Sequence, residues 1–415
     1  MKPMNSRGSP PRIANTRLRN SKAAAWADPA CRPWPARFFC ALLLSGVSAL
    51  ALGQQIVPLT IAQGLNHPWA VAFLPNGHFL VSERAGAFRV VAPDGKIGAP
   101  IGGLPAIAVG GQGGLLDVVL DSDFVRNRTL YFCYAEPASR GNGNSTALAS
   151  ARLSADLRQL EGLRLLFSQR PKTASELHFG CRIVESKTAQ GQADGKLFLT
   201  LGERFNRRDD AQTLDNHHGK VIRINKDGSV PADNPFVGRP GALTEIWSFG
   251  HRNPQGATLS PQGVLWMHEH GPRGGDEINL PQPGGNYGWP LVSFGRNYDL
   301  TAVGDGSSAK AGTEQPLHQW TPSIAPSGMA FVTSEKYGKA WVGNLLVGSL
   351  KFTHLARLEL ERPYAGKVVK ETRLLESLGE RIRDVRQGPD GFIYVVTDSA
   401  NGKLIRLAPA AGVPD

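Results

Sequence analysis

The sequence predicts an all-β chain closed into a six-bladed propeller, and three observations carry that expectation. Turn-forming residues are abundant, with 48 Gly and 30 Pro among 415 residues. Apolar runs are short and recur between Gly, Pro, Asn and Asp, with few helix-forming stretches. A unit of a Gly or Asn turn followed by a strand of five to seven residues appears six times.

The copies are Asn76–Ser82, Asn127–Phe132, Asp194–Thr200, Gln262–Met267, Gly343–Val347 and Asp390–Val396. Two of them lead into a partner strand, Ala87–Val91 and Lys403–Leu407, as in hairpins. Imperfect repeats spaced by roughly 50 to 80 residues fit blades that carry insertions on one face. A β-sandwich with long loops is the architectural alternative. No linker or low-complexity tract interrupts the chain after its leader, so residues 54–415 read as one catalytic domain.

The net charge of +11 would suggest nucleic acid or a membrane surface if it were evenly spread. It is concentrated instead. Residues 1–53 hold Lys2, Arg7, Arg12, Arg17, Arg19, Lys22, Arg32 and Arg37 against the single acid Asp28. The remainder has no Lys/Arg run dense enough to track phosphates, which sets nucleic acid aside. Arg37 precedes the apolar run from Phe38 to Leu52, and Ala51–Leu52–Gly53 has the small-x-small form of a cleavage site. That pattern predicts a secretory leader over residues 1–53, too short for a spanning helix, and a periplasmic or secreted product. Cys31 and Cys40 fall in the leader. Cys133 and Cys181 remain, a pair that an oxidising compartment could join.

Chemistry-bearing residues cluster in loops between strands. Gly110–Gly114 encloses Gln112 but has no phosphate-loop lysine and opens no helix; its glycines suit close backbone approach to a flat ligand. His178 has the side chain most often used to take a hydroxyl proton near neutral pH. Arg252, Lys351 and the pair Arg381/Arg383, which has the spacing of one strand face, come from different repeats, and guanidinium forks suit carboxylates. Asp276 and Glu277 follow a Gly–Gly turn and look like oxygen ligands for a hard cation, with the carbonyls of Gly271 and Pro272 as further donors. The pairs His268/His270 and His217/His218 lack the ligand complement of a zinc site.

Taken together, Gly250–Gly256, Glu269–Asn279, Gly285–Pro290, Arg381–Val385 and Gly388–Gly391 resemble the soluble aldose sugar dehydrogenases of the glucose/sorbosone dehydrogenase family, which depend on pyrroloquinoline quinone (PQQ). The likeness runs from about Leu65 to Arg406. It implies a six-bladed propeller with PQQ and Ca²⁺ in a cleft near the axis. On this resemblance His178 is the general base and Arg252 lies beside the quinone oxygens. Gln112, Asn253 and Ser323 are polar cofactor contacts, and Lys351, Arg381 and Arg383 meet the PQQ carboxylates. Gly271 and Pro272 hold the Ca²⁺ that bridges to PQQ, while Glu277 and Tyr287 match a second, structural Ca²⁺ site. Two positions depart from the pattern. Leu177 stands where soluble glucose dehydrogenases have an aspartate before the base, and Ser323 where relatives have threonine.

The implied reaction is oxidation of an aldose at C1 to a lactone, with hydride passing to PQQ and electrons leaving to an unidentified acceptor. A Ca²⁺-dependent lactonase would need acids and amides converging on an axial metal, which the cationic set opposes. A non-catalytic sugar- or protein-binding propeller would not need a base together with carboxylate-binding cations. Neither the preferred aldose nor the oligomeric state, a homodimer included, is legible here.

Overall fold

The computed structural model describes residues 56–410, so the expected leader lies outside the described residues. Among the described residues, six four-stranded antiparallel sheets account for nearly all regular structure, with only short helical turns between them. Blades 1 to 5 span residues 68–100, 115–168, 180–249, 254–320 and 326–374, each built from four strands in chain order. Blade 6 is composite. Ile382–Gln387, Ile393–Thr397 and Gly402–Pro409 supply three strands, and Ile56–Leu65 from the other end of the chain adds the outermost, pairing with Gly402–Pro409.

All six sequence repeats turn out to be the second strand of a blade: Phe79–Glu83, Thr129–Pro137, Ala193–Leu201, Leu265–Glu269, Leu345–Ser349 and Ile393–Thr397. The reason is the tight turn that leads into each from the innermost strand. It needs a left-handed residue, supplied by Gly77, Gly191, Gly263, Gly343 and Gly391 with φ between 78° and 85°, and by Arg128 at 55° in blade 2. Inner and second strands are sandwiched between neighbouring sheets and read as nearly continuous apolar runs, such as Ile393–Thr397 and Leu115–Leu120, the latter broken only by Asp117. Outermost strands lie on the rim. Leu160–Ser168 is exposed over most of its length, and that weaker pattern hides it in the sequence.

Ion pairs cross the axis. Arg182 of blade 3 reaches Asp117 of blade 2 at 3.1 Å and Asp384 of blade 6 at 2.9 Å. Arg386 closes the square onto the same two carboxylates. Arg182 also lies 4.5 Å from the ring centre of Trp69, on the inner strand of blade 1. This network lies beneath the loops described next and joins four of the six blades.

Candidate active site

The N-terminal ends of the innermost strands point to one face, where the loops between second and third strands also emerge. A cleft of about 310 Å³ opens there, lined by Gln112, Phe179, Asn253, Arg381, Arg383 and Asp398, with Trp69 also in its wall. Six repeats dispersed over the chain thus deliver side chains to one place, because each blade presents the same end to the axis.

His178 is almost fully buried, 4% exposed. Its backbone N–H donates to Gln112 Oε1 at 2.9 Å, and Gly202 packs so closely on its carbonyl that a side chain there would collide. The ring meets a residue that sequence reasoning missed: Nδ1 lies 3.1 Å from Glu203 Oε1, and both groups are buried. Glu203 thus acts on the ring at close range, through that contact and then through its charge. Burial first, then the Arg252 charge, pushes the imidazole below its usual pKa, and Glu203 opposes both. A carboxylate on the Nδ1 side favours the proton there and leaves Nε2 free to accept one. Phe205, two residues on, sets its ring edge-to-face on His178 at 5.3 Å. Glu203 thus brings a carboxylate to the ring from a loop 25 residues downstream of His178.

Asn253 fixes its carbonyl oxygen on Gly180 N–H and Gln255 Nε2, both at 3.2 Å, which leaves its NH₂ uncommitted. Arg252 Nη1 donates to Gly271 O at 2.9 Å and His270 O at 3.2 Å, and its guanidinium lies 5.2 Å from the ring centre of Trp289. Its buried Nε has no partner among the described residues. Arg381 and Arg383 converge on Asp398, at 3.5 Å and 2.6 Å, and His67 holds the other oxygen of that carboxylate at 2.9 Å. Burial raises the Asp398 pKa, but the Arg383 charge and hydrogen bond, with His67 and Arg381, outweigh it and keep the group ionised. Neither His178 nor Arg252 lines the cleft itself, nor does Lys351. It follows cleft-lining Leu350, is exposed, and its ammonium lies 5.0 Å from the Phe352 ring centre.

The oxygen-rich loop is also assembled, with a division of labour the sequence did not reveal. Asp276 accepts from Gly271 N–H at 2.9 Å and from the N–H groups of Ile324 and Ala325 at 2.8 and 3.0 Å. Its carboxylate is spent as a tie between two loops. Ser323 lies in the second of these loops, where its hydroxyl accepts from Ala325 N–H at 3.2 Å. Glu277 instead faces Glu269 across paired strands, and Asn279 Nδ2 bridges the two at 3.2 Å each. Burial, then the Glu269 charge, pushes Glu277 up to about 8. Glu269, Glu277, Gly271 and Tyr287 border a small cavity of about 10 Å³. The Tyr287 hydroxyl is occupied by backbone: it donates to Leu280 O and accepts from Gln282 N–H.

Ser248, His251 and Glu269 have the connectivity of a hydrolytic triad, with 2.9 Å at each link. Ser248 and His251 are wholly buried, so no acyl group can reach the hydroxyl. Their role is to fix Glu269, whose other oxygen accepts from Arg252 N–H. Among the described residues no helix is long and apolar enough to cross a membrane.

The glucose/sorbosone dehydrogenase family pattern matches residues 65–406. The aldose sugar dehydrogenase YliI of Escherichia coli is 43% identical over 378 residues, covering 90% of this chain and 98% of that one. The crystal structure of the soluble aldose sugar dehydrogenase of E. coli in its apo-form superposes with a TM-score of 0.80 at 43% identity, over 86% of this chain and 100% of that one. The PQQ-bound aldose sugar dehydrogenase of Streptomyces coelicolor does so with a TM-score of 0.69 at 26% identity, over 86% and 98%.

Proposed function

Because the chain belongs to the glucose/sorbosone dehydrogenase family, and so is a sugar dehydrogenase, we propose that it oxidises aldoses at C1 to lactones with PQQ in this cleft, Ca²⁺ beside it and His178 as general base. The observation that carries the reading is a cleft lined by Gln112, which holds the backbone of the buried His178 that Glu203 backs, and by two arginines fixed by Asp398.

The residues suit a flat, tricarboxylated ligand. Arg381 and Arg383 offer guanidinium forks at one side, while the amides of Gln112 and Asn253 have NH₂ groups free. Arg252 carries an unpartnered, buried Nε. The carbonyls of Gly271 and Pro272 are hard oxygen donors in the same loop, and the buried Glu269 faces the partly buried Glu277 beside a small cavity, a donor set suited to Ca²⁺. When bound, PQQ supplies an electrophilic quinone as hydride acceptor and Ca²⁺ supplies Lewis acidity beside it.

The chain's own part is position and proton transfer. His178 Nε2 takes the proton of the anomeric hydroxyl, and Glu203 stabilises the imidazolium that forms. Gln112 holds the histidine backbone against movement, and the closely packed walls keep bulk water from the ring. Arg252 is held by Gly271 O and His270 O, so its charge is fixed before any ligand arrives. A leader over residues 1–53 would deliver the enzyme to the periplasm or medium.

Reconstitution tests this directly. Purified apoprotein should be inactive with NAD(P) and should gain aldose-dependent dye reduction with PQQ plus Ca²⁺. Arg383→Ala should weaken PQQ binding by tens- to thousandsfold, since losing one member of a buried charge pair costs on the order of 2–5 kcal/mol, with much of the turnover restored at saturating PQQ. Activity without either addition, in quinone-free protein, would remove the proposal.

A further inference from the structure

Three of the four residues from His178 to Cys181 have left-handed backbone angles: φ is 51° at His178, 67° at Gly180 and 81° at Cys181. Glycine adopts such angles freely, whereas histidine and cysteine do so only where the surroundings hold them. The strand pairing is irregular at the same place, with a register shift between Gly180 and Ile183. The restraint comes largely from blade 2. Thr146 Oγ1 donates to Phe179 O at 2.6 Å, and Cys181 is disulfide-bonded to Cys133 with a Cα separation of 5.9 Å, inside the usual span. Both cysteines are fully buried. The bond thus joins the second strand of blade 2 to the innermost strand of blade 3, three residues from the ring that faces Glu203.

A disulfide in a remote loop acts mainly on the unfolded chain. This one grips a left-handed cysteine next to the reacting group. We propose that the Cys133–Cys181 disulfide is a positioning device for His178, holding the backbone conformation at Cys181 that sets where the imidazole sits, and so contributing to turnover beyond its contribution to stability. The inference rests on the reading of His178 as the base.

Two double variants separate positioning from cross-linking. Cys133→Ala/Cys181→Ala removes the bond and leaves a residue that resists the left-handed angle. Cys133→Ala/Cys181→Gly removes the same bond but supplies a residue at ease there. After reconstitution with PQQ and Ca²⁺, the alanine pair should lose about tenfold or more in kcat, as small misplacements of reacting groups do, with PQQ affinity unchanged. The glycine pair should recover most of that kcat while its Tm stays as low. Unchanged kcat in both, or equal loss in both, would overturn the proposal. Should the alanine pair not fold, the native chain is refolded in dithiothreitol, which supplies two electrons and two protons and leaves as the cyclic disulfide. A folded, reduced enzyme should show lowered kcat that returns on reoxidation. Full kcat in that state overturns the proposal, as does a reduced chain that cannot refold, since the bond would then be a folding requirement. His178→Ala serves as the reference. Near-native kcat in that variant removes the base reading itself, whereas an inactive His178→Ala beside unaffected cysteine pairs removes only the positioning role.

Discussion

Glu203 and Arg252 pull His178 in opposite directions, and the balance has a measurable sign. Burial and the Arg252 charge lower the imidazole pKa, while Glu203 raises it. The base must be neutral to accept a proton, so the acid limb of kcat/KM should lie below the usual imidazole value near 6.5. Glu203→Gln keeps the shape and removes the charge that raises the pKa, so the acid limb should move further down. At the same time the imidazolium formed in the reaction loses its counter-charge, and plateau kcat should fall by roughly ten- to a hundredfold, less than the loss of an entire base. A pH profile of the reconstituted variant checks both. An acid limb that moves upward, or a plateau that stays at the native value, would show that Glu203 does not act on the ring. Glu203 was not legible in the sequence because its relation to His178 is tertiary. It opens the loop between the second and third strands of blade 3, and only the fold of Gly202 against the His178 carbonyl brings it near. Asp398, the anchor of Arg381 and Arg383, was hidden for the same reason.

At the scale of elements, the loop 269–277 shows how far sequence spacing goes. The adjacent acids Asp276 and Glu277 looked alike in the sequence, yet strand alternation sends them to opposite sides. Asp276 meets three backbone N–H groups and Glu277 meets a second carboxylate. Composition pointed to an oxygen site; strand pairing, which was not readable, decided which acid stays open. Two carboxylates that face each other beside a cavity, one buried and one partly so, repel unless a proton or a cation intervenes. Calcium added to apoprotein should therefore raise Tm. Occupancy at a hundred times Kd is worth about 2.7 kcal/mol, and a chelator should reverse the shift. Glu277→Gln should abolish the calcium response and, in chelator, be at least as stable as the native chain, since it removes the repulsion. Melting curves of both proteins with and without calcium decide the matter. A calcium response that survives in Glu277→Gln would place the ion elsewhere.

For the whole molecule, ring closure and the chain's beginning are one question. The repeats gave six second strands and hence the blade number, but not the composite sixth blade, because Ile56–Leu65 is an exposed rim strand without a repeat signature. That strand runs antiparallel to Gly402–Pro409, its ladder starting at Ile56↔Pro409 and ending at Leu65↔Gly402. It then leads within three residues into the innermost strand of blade 1, so blade 6 is stitched to blade 1 through the chain itself. The expected leader cleavage after Gly53 would leave this strand whole, whereas cleavage a few residues further on would remove ladder partners. Exported protein should accordingly begin near Gln54, as N-terminal sequencing would report; residues before Phe38 on that product would contradict the leader. A chain started at Asn66 should lose the strand's contribution. Burial of Leu65 and Ala62 alone is worth about 2–4 kcal/mol, and the outer edge of Gly402–Pro409 would stand unpaired, open to association with other chains. Its Tm should fall by roughly 5–10 °C, with aggregation rising on concentration. The cleft residues belong to other strands, so any folded fraction should still bind PQQ. A truncated chain as stable as one starting at Gln54 would mean that the ring holds without its stitch, and that the cross-axis network of Arg182, Asp117, Asp384 and Arg386 is enough to keep the blades together.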